Sequence, residues 1–150
     1  MFAILLRRAM SRPLCGLGRW VVVATALFMG IGALGGGFEL LRDAEGFGVQ
    51  PEWIERSPFP DYRIPGLFLF VVIGGGMVAT ALLALFGSGL ASAAALKMGA
   101  VLVLWLVIET LIVGWQGGPQ AMLLAVCGTS AAVLIVVGAR ALAASPPRMA

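Results

Sequence analysis

The chain contains no histidine, and only two cysteines, Cys15 and Cys127, occur among its 150 residues. The absence of histidine removes the usual ligands of haem and zinc and the commonest proton shuttle. No C-x-x-C pair occurs, and we expect the two cysteines to lie far apart, which argues against a disulfide-forming enzyme. We therefore expect no metal site, no cofactor and no catalytic residues, although the composition is compatible with a bound lipid.

Charged side chains are scarce as well, since 11% of the residues are charged and 61% are hydrophobic. A soluble domain has about a quarter of its residues charged. Lipid is the alternative solvent, and crossing it requires apolar runs of roughly 20 residues. Four such runs occur, at 20–41, 67–86, 98–115 and 120–139, with a polar connection at about 42–65. The sequence thus predicts an all-α integral membrane bundle of four transmembrane helices, in one domain that covers residues 1–150.

The basic residues predict the orientation of the bundle. The segments before the first run, between the second and third runs, and after the fourth run contain Arg or Lys but no Asp or Glu. All acids except Glu39 and Glu109 lie in the 42–65 connection. Because basic segments stay on the cytoplasmic side, we expect both termini to be cytoplasmic. The net charge of +3 then reflects topology and contact with the lipid bilayer, and it does not indicate a nucleic-acid partner.

The outer connection contains the segment QPEWIERSPFPDYRIPG. Pro51 followed by Glu52 suits the first turn of a short helix, since proline fixes φ and an acid favours the helix N-terminus. Three later prolines, the last of them Pro65, then oppose regular structure. The connection either packs as a lid on the bundle or forms a recognition surface or the gate of a cavity. Its candidate recognition residues are Trp53, Phe59, Asp61, Tyr62 and Arg63, the two charged ones being placed to pair.

Glu109 is the one ionisable residue well inside a predicted span. Insertion scales assign roughly 2.5–3.5 kcal/mol to an acid at mid-helix. The ten Leu, Ile and Val residues of the same run offset this with about 3–6 kcal/mol. A lipid-facing Glu109 would lose half of that gain, so we expect it to point into the bundle. Trp105 and Gln116 lie on the same helical face as Glu109.

Small residues and hydroxyls are expected at the depth of Glu109 on the other three helices, at Gly32, Gly75 and the run Gly128–Ser130. They either let the helices approach closely, with hydroxyls bonding the carboxyl, or leave a polar cavity in which Glu109 binds a proton, a cation or a cationic group. The candidate ligand or proton site is Glu109, Trp105, Gln116, Thr129 and Ser130. The candidate helix-packing glycines are Gly32, Gly36, Gly75 and Gly128.

Residues 30–35 match G-x-G-x-x-G, the dinucleotide-binding fingerprint. That fingerprint needs a preceding strand, a water-accessible turn and a ribose-binding acid about 20 residues on. Here a continuous apolar run surrounds the glycines, and Glu39 follows Gly35 by only four residues. We interpret the segment as a packing surface instead, centred on Gly32-x-x-x-Gly36. A second glycine run, Gly74–Gly76, either packs closely or weakens the second helix as a hinge.

The segment SPFPDYRIPG, which leads straight into an apolar helix, resembles a PFxDYxxPG pattern of small uncharacterised bacterial four-helix membrane proteins. A carboxylate in the third helix followed by a short outer turn is similar to that group, and the general layout resembles DoxX-like membrane proteins. The resemblance implies four helices and a bacterial inner membrane. It implies no activity and no catalytic residues.

Three functions fit these features. The first is an accessory or structural subunit, which packs against other membrane subunits or against itself through glycine-rich faces and the outer connection. The second is a small transporter or proton-coupled carrier that uses Glu109. A membrane enzyme acting on lipid or quinone fits least well, because the chain has no histidine and no second acid in a span.

Overall fold

The structure is a computed structural model, and it describes residues 14, 16–46, 51–53, 58–115 and 117–144. Four long helices account for most of this part of the chain. They are α1 (Gly16–Arg42), α2 (Arg63–Leu85), α3 (Ala91–Val113) and α4 (Gly118–Ala143). Each is long and apolar enough to cross a membrane, which confirms the predicted all-helical, four-span fold.

Two connections are shorter than the sequence suggested. Helix α3 begins at Ala91 rather than at residue 98, because the small-residue segment expected to be a loop is rich in alanine, the strongest helix former. Helix α2 begins at Arg63 and includes Pro65, since a proline in the first turn gives up no intrahelical hydrogen bond. The expectation that Pro65 opposes regular structure was therefore wrong. The short helix predicted after Pro51 is present as a 3₁₀ turn, Pro51–Trp53.

The helices form an up-down-up-down arrangement. Helix α1 packs extensively along α2, and α3 packs extensively along α4, while α1 with α4 and α2 with α3 share thinner contacts. The start of α1, the 86–90 turn and the end of α4 lie together at one end of the bundle, which we call the termini end. The described residues of the 43–62 connection and of the 114–117 link lie at the opposite end, which we call the loop end.

The core is built from stripes of residues spaced alternately four and three apart, the spacing of helices that pack at a shallow angle. Alanine and glycine occupy many of these positions, so the helix backbones approach closely. The stripes are Val23, Ala26, Gly30, Ala33 and Gly37 on α1, Ala95, Gly99, Leu102 and Leu106 on α3, and Cys127, Ala131, Leu134 and Gly138 on α4.

Helices α3 and α4 touch through their glycines. A Cβ added at Gly99 would lie 2.9 Å from the carbonyl oxygen of Ala131, and one added at Gly138 would lie 2.7 Å from that of Ser92. Ordinary van der Waals contact begins at 3.4 Å, so no larger residue fits without moving a backbone. These contacts define an antiparallel register, so the third and fourth helices are antiparallel neighbours.

The middle of α2, Phe68–Gly75, is π-helical. At its end, a Cβ at Gly74 would meet the side chain of Leu34 at 2.8 Å, and one at the following Gly76 would meet Met98 at 2.7 Å, whereas Gly75 faces open space. The glycine run therefore packs against α1 on one side and α3 on the other. The departure from α geometry includes the first two glycines of the run, and such π segments are frequent at functional sites.

Candidate functional site

Glu109 continues the inward stripe of α3 towards the loop end of the bundle. The buried Leu102 and Leu106 precede it at spacings of four and three residues, and the Glu109 side chain is half-buried. Helix α3 ends at Val113, four residues later, which places Glu109 about 6 Å below the helix end at 1.5 Å per residue. This position keeps the carboxyl away from the outward side of α3, where contact with lipid would cost most.

The register between α3 and α4 shows what faces Glu109. Gly99 contacts Ala131 and Ile135, so Glu109, ten residues towards the loop end, faces the stretch 121–125 of α4. The α4 side chains of this stripe that flank that stretch are Gln120, which is 6% exposed, and Cys127, which is 8% exposed. The Cys127 thiol lies within electrostatic reach of the Glu109 carboxyl. Glu109 therefore lies at the interface between α3 and α4. Cys127 lies on the side of Glu109 that is nearer the middle of the bundle.

The predicted hydroxyl partners do not share this layer. Thr129 and Ser130 lie at least four residues deeper on α4, about 6 Å at 1.5 Å per residue. The Thr129 hydroxyl donates to the carbonyl oxygens of Ala125 and Val126, and the Ser130 hydroxyl donates to that of Val126 at 2.7 Å. Each hydroxyl is thus satisfied by its own helix, as is common for Ser and Thr in helices. The prediction that they share a layer with Glu109 was therefore wrong, because that layer depends on the register between α3 and α4, which the sequence does not show.

Trp105 lies one turn from Glu109 and connects α3 to α2. Its ring stacks on that of Phe68, with centroids 5.0 Å apart and planes inclined by 18°. Both rings are half-buried against the core, so Trp105 serves as a packing residue. Phe68 is the first residue of the π segment, which brings that segment into contact with the face of α3 that carries Glu109.

The Glu109 carboxyl makes no hydrogen bond and no ion pair with the residues that the structure describes. Gln116, predicted to share its face, lies outside the described residues. The site thus consists of a half-buried acid, an aromatic stack beside it, and Gln120 and Cys127 across the α3–α4 interface. Phe68, Gln120 and Cys127 were missed from sequence, although the spacing Gln120, Leu124, Cys127, Ala131 repeats the four-three pattern and could have revealed two of them.

Three of the four predicted packing glycines have no close neighbour within the described part of the chain. A Cβ at Gly32, Gly75 or Gly128 would meet nothing within 4 Å, and Gly36 is half-buried. Because successive helical residues point about 100° apart, an offset of one or two positions turns a glycine off the contact face. Among the glycines of the four long helices, the tightest backbone or side-chain approaches are those of Gly37, Gly74, Gly76, Gly99 and Gly138.

The predicted recognition residues lie at the loop end, between the 3₁₀ turn and the first residue of α2. Trp53, Phe59 and Tyr62 are half-buried, while Asp61 and Arg63 are exposed. Asp61 accepts a hydrogen bond of 2.9 Å from the backbone N–H of Arg63, and its carboxylate lies 3.7 Å from the Arg63 Nε. Burial raises the pKa of Tyr62, and the negative charge of Glu52 raises this pKa further. The expected pairing of Asp61 with Arg63 is therefore present.

Two alternative site types are absent from the described part of the chain. Residues 30–35 lie in the middle of the continuous helix α1, so the G-x-G-x-x-G match has neither the strand nor the turn that a dinucleotide site requires. No group of three or more His, Cys, Asp or Glu side chains that could hold a metal ion occurs among the described residues. No family model, no curated protein and no solved structure matches the chain.

Proposed function

We propose that this chain is a small polytopic protein of a bacterial inner membrane that serves as an accessory subunit of a larger membrane complex. The observation that carries the proposal is the outward face of α1. Gly32 and Gly35 are exposed there, and a Cβ at either would meet nothing within 4 Å. Large exposed apolar side chains of the same helix surround these glycines, namely Phe28, Ile31 and Phe38.

This face suits another helix better than it suits lipid. A glycine notch exposes backbone and offers lipid tails little contact area, whereas small residues let a second helix backbone approach closely. The surrounding aromatic and aliphatic side chains can then interlock with the approaching helix. Within the bundle, by contrast, glycines such as Gly99 and Gly138 already have their helix partners. We infer that a transmembrane helix of another subunit covers the Gly32–Gly35 notch.

The orientation and the membrane rest on charge and on the loop motif. At the termini end Arg19, Lys97 and Arg140 occur without any acid in the neighbouring sequence, which supports cytoplasmic termini. The bacterial inner membrane and the likeness to DoxX-like proteins rest on the SPFPDYRIPG segment and the four-helix layout.

Replacing Gly35 by leucine tests the subunit proposal. Open space surrounds Gly35, so the leucine should leave the fold of the chain intact while filling the notch. Gly128→Leu is the matched control, because Gly128 is also open but lies on α4. Native purification followed by mass spectrometry should recover a membrane partner with the wild type and the Gly128 variant, and at least tenfold less with Gly35→Leu, about 1.4 kcal/mol of association. Recovery of this chain alone, or equal recovery with all three proteins, would overturn the proposal.

A second candidate function is a carrier that binds a proton or a cationic group at Glu109. It is favoured by the half-buried carboxyl that has no partner among the described residues, since an acid inside a membrane helix is a functional site by default. Glu109→Gln keeps the shape and removes the charge, so uptake or proton coupling in reconstituted vesicles should collapse. Glu39→Gln, which removes an acid near the loop end of α1, is the control. Unchanged transport in a folded Glu109→Gln protein would exclude the carrier.

A further inference from the structure

We propose that the outward side of α2 binds a phospholipid whose headgroup carries a primary ammonium group, such as phosphatidylethanolamine. One acyl chain lies in an apolar groove of the helix surface, and the headgroup lies at Arg63 and Asp61. The groove is on a different helix from the Gly32–Gly35 notch, and the proposal does not depend on the subunit function. Three features carry it: the groove, a pair of opposite charges at its loop end, and the charge balance of the outer connection.

The groove follows the first turns of α2 and has a volume of about 320 Å³. Its lining side chains are all apolar and belong to Ile64, Leu67, Phe68, Val71 and Val72. They form two neighbouring rows, one at positions 64, 68 and 72 and one at positions 67 and 71, because side chains four residues apart lie one above the other. The last three belong to the π segment, whose turns contain an extra residue. The groove therefore runs along the helix axis between the two rows.

The groove opens towards lipid. Its rims are the three lining side chains that are more than half exposed, Ile64, Leu67 and Val71. Its floor is Phe68, which is half-buried and whose ring is held by the stack on Trp105. Helix α2 is long and apolar enough to cross a membrane, so hydrocarbon rather than water fills the groove. An acyl chain supplies this hydrocarbon.

The length of the groove matches one leaflet of a bilayer. Val72, at its inner end, follows Arg63 by nine residues, which is about 13 Å at the α-helical rise of 1.5 Å per residue. Half of the hydrocarbon thickness of a bilayer is about 15 Å. A chain that fills the groove therefore has its headgroup at the level of Arg63.

Arg63 and Asp61 form the pair of opposite charges at the loop end of the groove. Arg63 precedes Leu67 by four residues within one α-helical segment, so the two side chains lie on the same face. The Arg63 Nε is 3.7 Å from the Asp61 Oδ2, and the two side chains are 79% and 50% exposed. The other Asp61 oxygen accepts the backbone N–H of Arg63 at 2.9 Å, which holds the carboxylate beside the guanidinium.

This pair is complementary to a headgroup that contains both a phosphate and an ammonium. A guanidinium binds phosphate oxygens with paired hydrogen bonds. Its distance from the Asp61 carboxylate is longer than a hydrogen bond, and the carboxylate keeps acceptor positions for an ammonium group. The phosphate therefore lies at Arg63 and the ammonium at Asp61.

The charge of the outer connection selects among phospholipids. Residues 42–65 contain five acids and three arginines, and the negative charge of Glu52 acts on Tyr62, the residue before Arg63. This surplus repels a headgroup of net negative charge such as that of phosphatidylglycerol. A primary ammonium donates hydrogen bonds to a carboxylate, as a lysine does, whereas the quaternary ammonium of phosphatidylcholine has no N–H. The site therefore prefers phosphatidylethanolamine to both.

Lipid titration of the delipidated protein in detergent tests the ligand class. Thermal unfolding is followed while phosphatidylethanolamine, phosphatidylcholine, phosphatidylglycerol or glycerophosphoethanolamine is added, since a ligand of the folded state raises the unfolding temperature. We expect phosphatidylethanolamine to stabilise the wild type at the lowest concentration, and glycerophosphoethanolamine, which has the headgroup but no acyl chain, to have no effect. Equal stabilisation by the three phospholipids, or stabilisation by glycerophosphoethanolamine at the same concentration, would overturn the proposal.

Two substitutions test the headgroup pair. Arg63→Gln should weaken the apparent affinity for phosphatidylethanolamine by roughly tenfold or more, the size of a lost charge-assisted hydrogen bond. Arg140→Gln is the control, because it removes the same charge from an exposed position at the termini end. Asp61→Asn keeps an oxygen for the Arg63 backbone N–H and removes the negative charge, so the preference for phosphatidylethanolamine over phosphatidylcholine should disappear. An unchanged preference, or equal losses in Arg63→Gln and Arg140→Gln, would contradict the headgroup assignment.

Val71→Trp tests the groove, because the larger side chain occupies the space of the acyl chain. It should weaken binding of phosphatidylethanolamine by roughly tenfold or more, since each methylene kept out of the groove lowers the affinity severalfold. Val107→Trp is the control, because Val107 is 50% exposed on α3. Equal affinities in the two variants would refute the groove as the binding site. If Val71→Trp left lipid binding unchanged and removed a copurifying protein instead, the groove would hold a protein segment and the lipid assignment would be wrong.

Discussion

Replacing Gly138 by alanine is the sharpest test of how α3 and α4 pack. The new Cβ would lie 2.7 Å from the Ser92 carbonyl oxygen and 2.8 Å from the Leu96 amide nitrogen. Both atoms belong to the backbone of α3, so no side chain can rotate away to make room. Reaching ordinary contact at 3.4 Å requires the two helices to separate by about 0.6–0.7 Å, and overpacking of this kind costs about 1–3 kcal/mol.

Gly128→Ala is the matched control, since Gly128 lies on the same helix and a Cβ there meets nothing within 4 Å. Both substitutions add the same helix propensity, up to about 1 kcal/mol relative to glycine, so this contribution cancels between them. We therefore expect Gly138→Ala to be about 1–3 kcal/mol less stable than Gly128→Ala. Reversible unfolding in mixed micelles, followed by circular dichroism, measures this difference. Equal stability of the two variants would refute the close approach of α3 and α4 at Gly138.

Two further predictions concern other parts of the bundle. The stack of Phe68 on Trp105 should show a coupling of about 0.5–1.5 kcal/mol in a double-mutant cycle with Phe68→Leu and Trp105→Leu; additive effects would show that the rings do not interact. Tyr62 is the only tyrosine, so absorbance titration reports its pKa alone, and we expect a midpoint above the ordinary 10.0 that Glu52→Gln lowers only in part, because burial is the larger cause. Since folded Tyr62 holds its proton more tightly than unfolded Tyr62, its contribution to stability should be complete below pH 10.0 and be lost as the pH rises through the folded pKa. A midpoint at or below the ordinary value would contradict this.

The number of helices could be predicted from the sequence because it depends on hydropathy averaged over long stretches of residues. A run of roughly 20 apolar residues has few alternatives to a transmembrane helix. Helix boundaries were read less well, because a segment such as 91–97 is both rich in small residues and strongly helix-forming.

The partners of individual residues could not be read in the same way. Which glycine contacts a neighbour depends on helix rotation, and a rotation of one residue moves a side chain by about 100°. Gly32 was therefore expected in the core while Gly30 occupies it. Which residues face Glu109 depends on the register between α3 and α4. A few close glycine contacts determine this register, and no local pattern in the sequence indicates it.

Photo-crosslinking from the outward face of α1 tests the subunit proposal most directly. A crosslinking amino acid at Ile31, which is 67% exposed beside the glycine notch, would be compared in native membranes with one at Val136, which is 44% exposed on α4. We expect one defined adduct with another membrane protein from position 31, its loss when Gly35→Leu fills the notch, and no such adduct from position 136. Adducts with lipid alone at position 31, or the same protein adduct from both positions, would contradict the proposal that a partner helix covers this face.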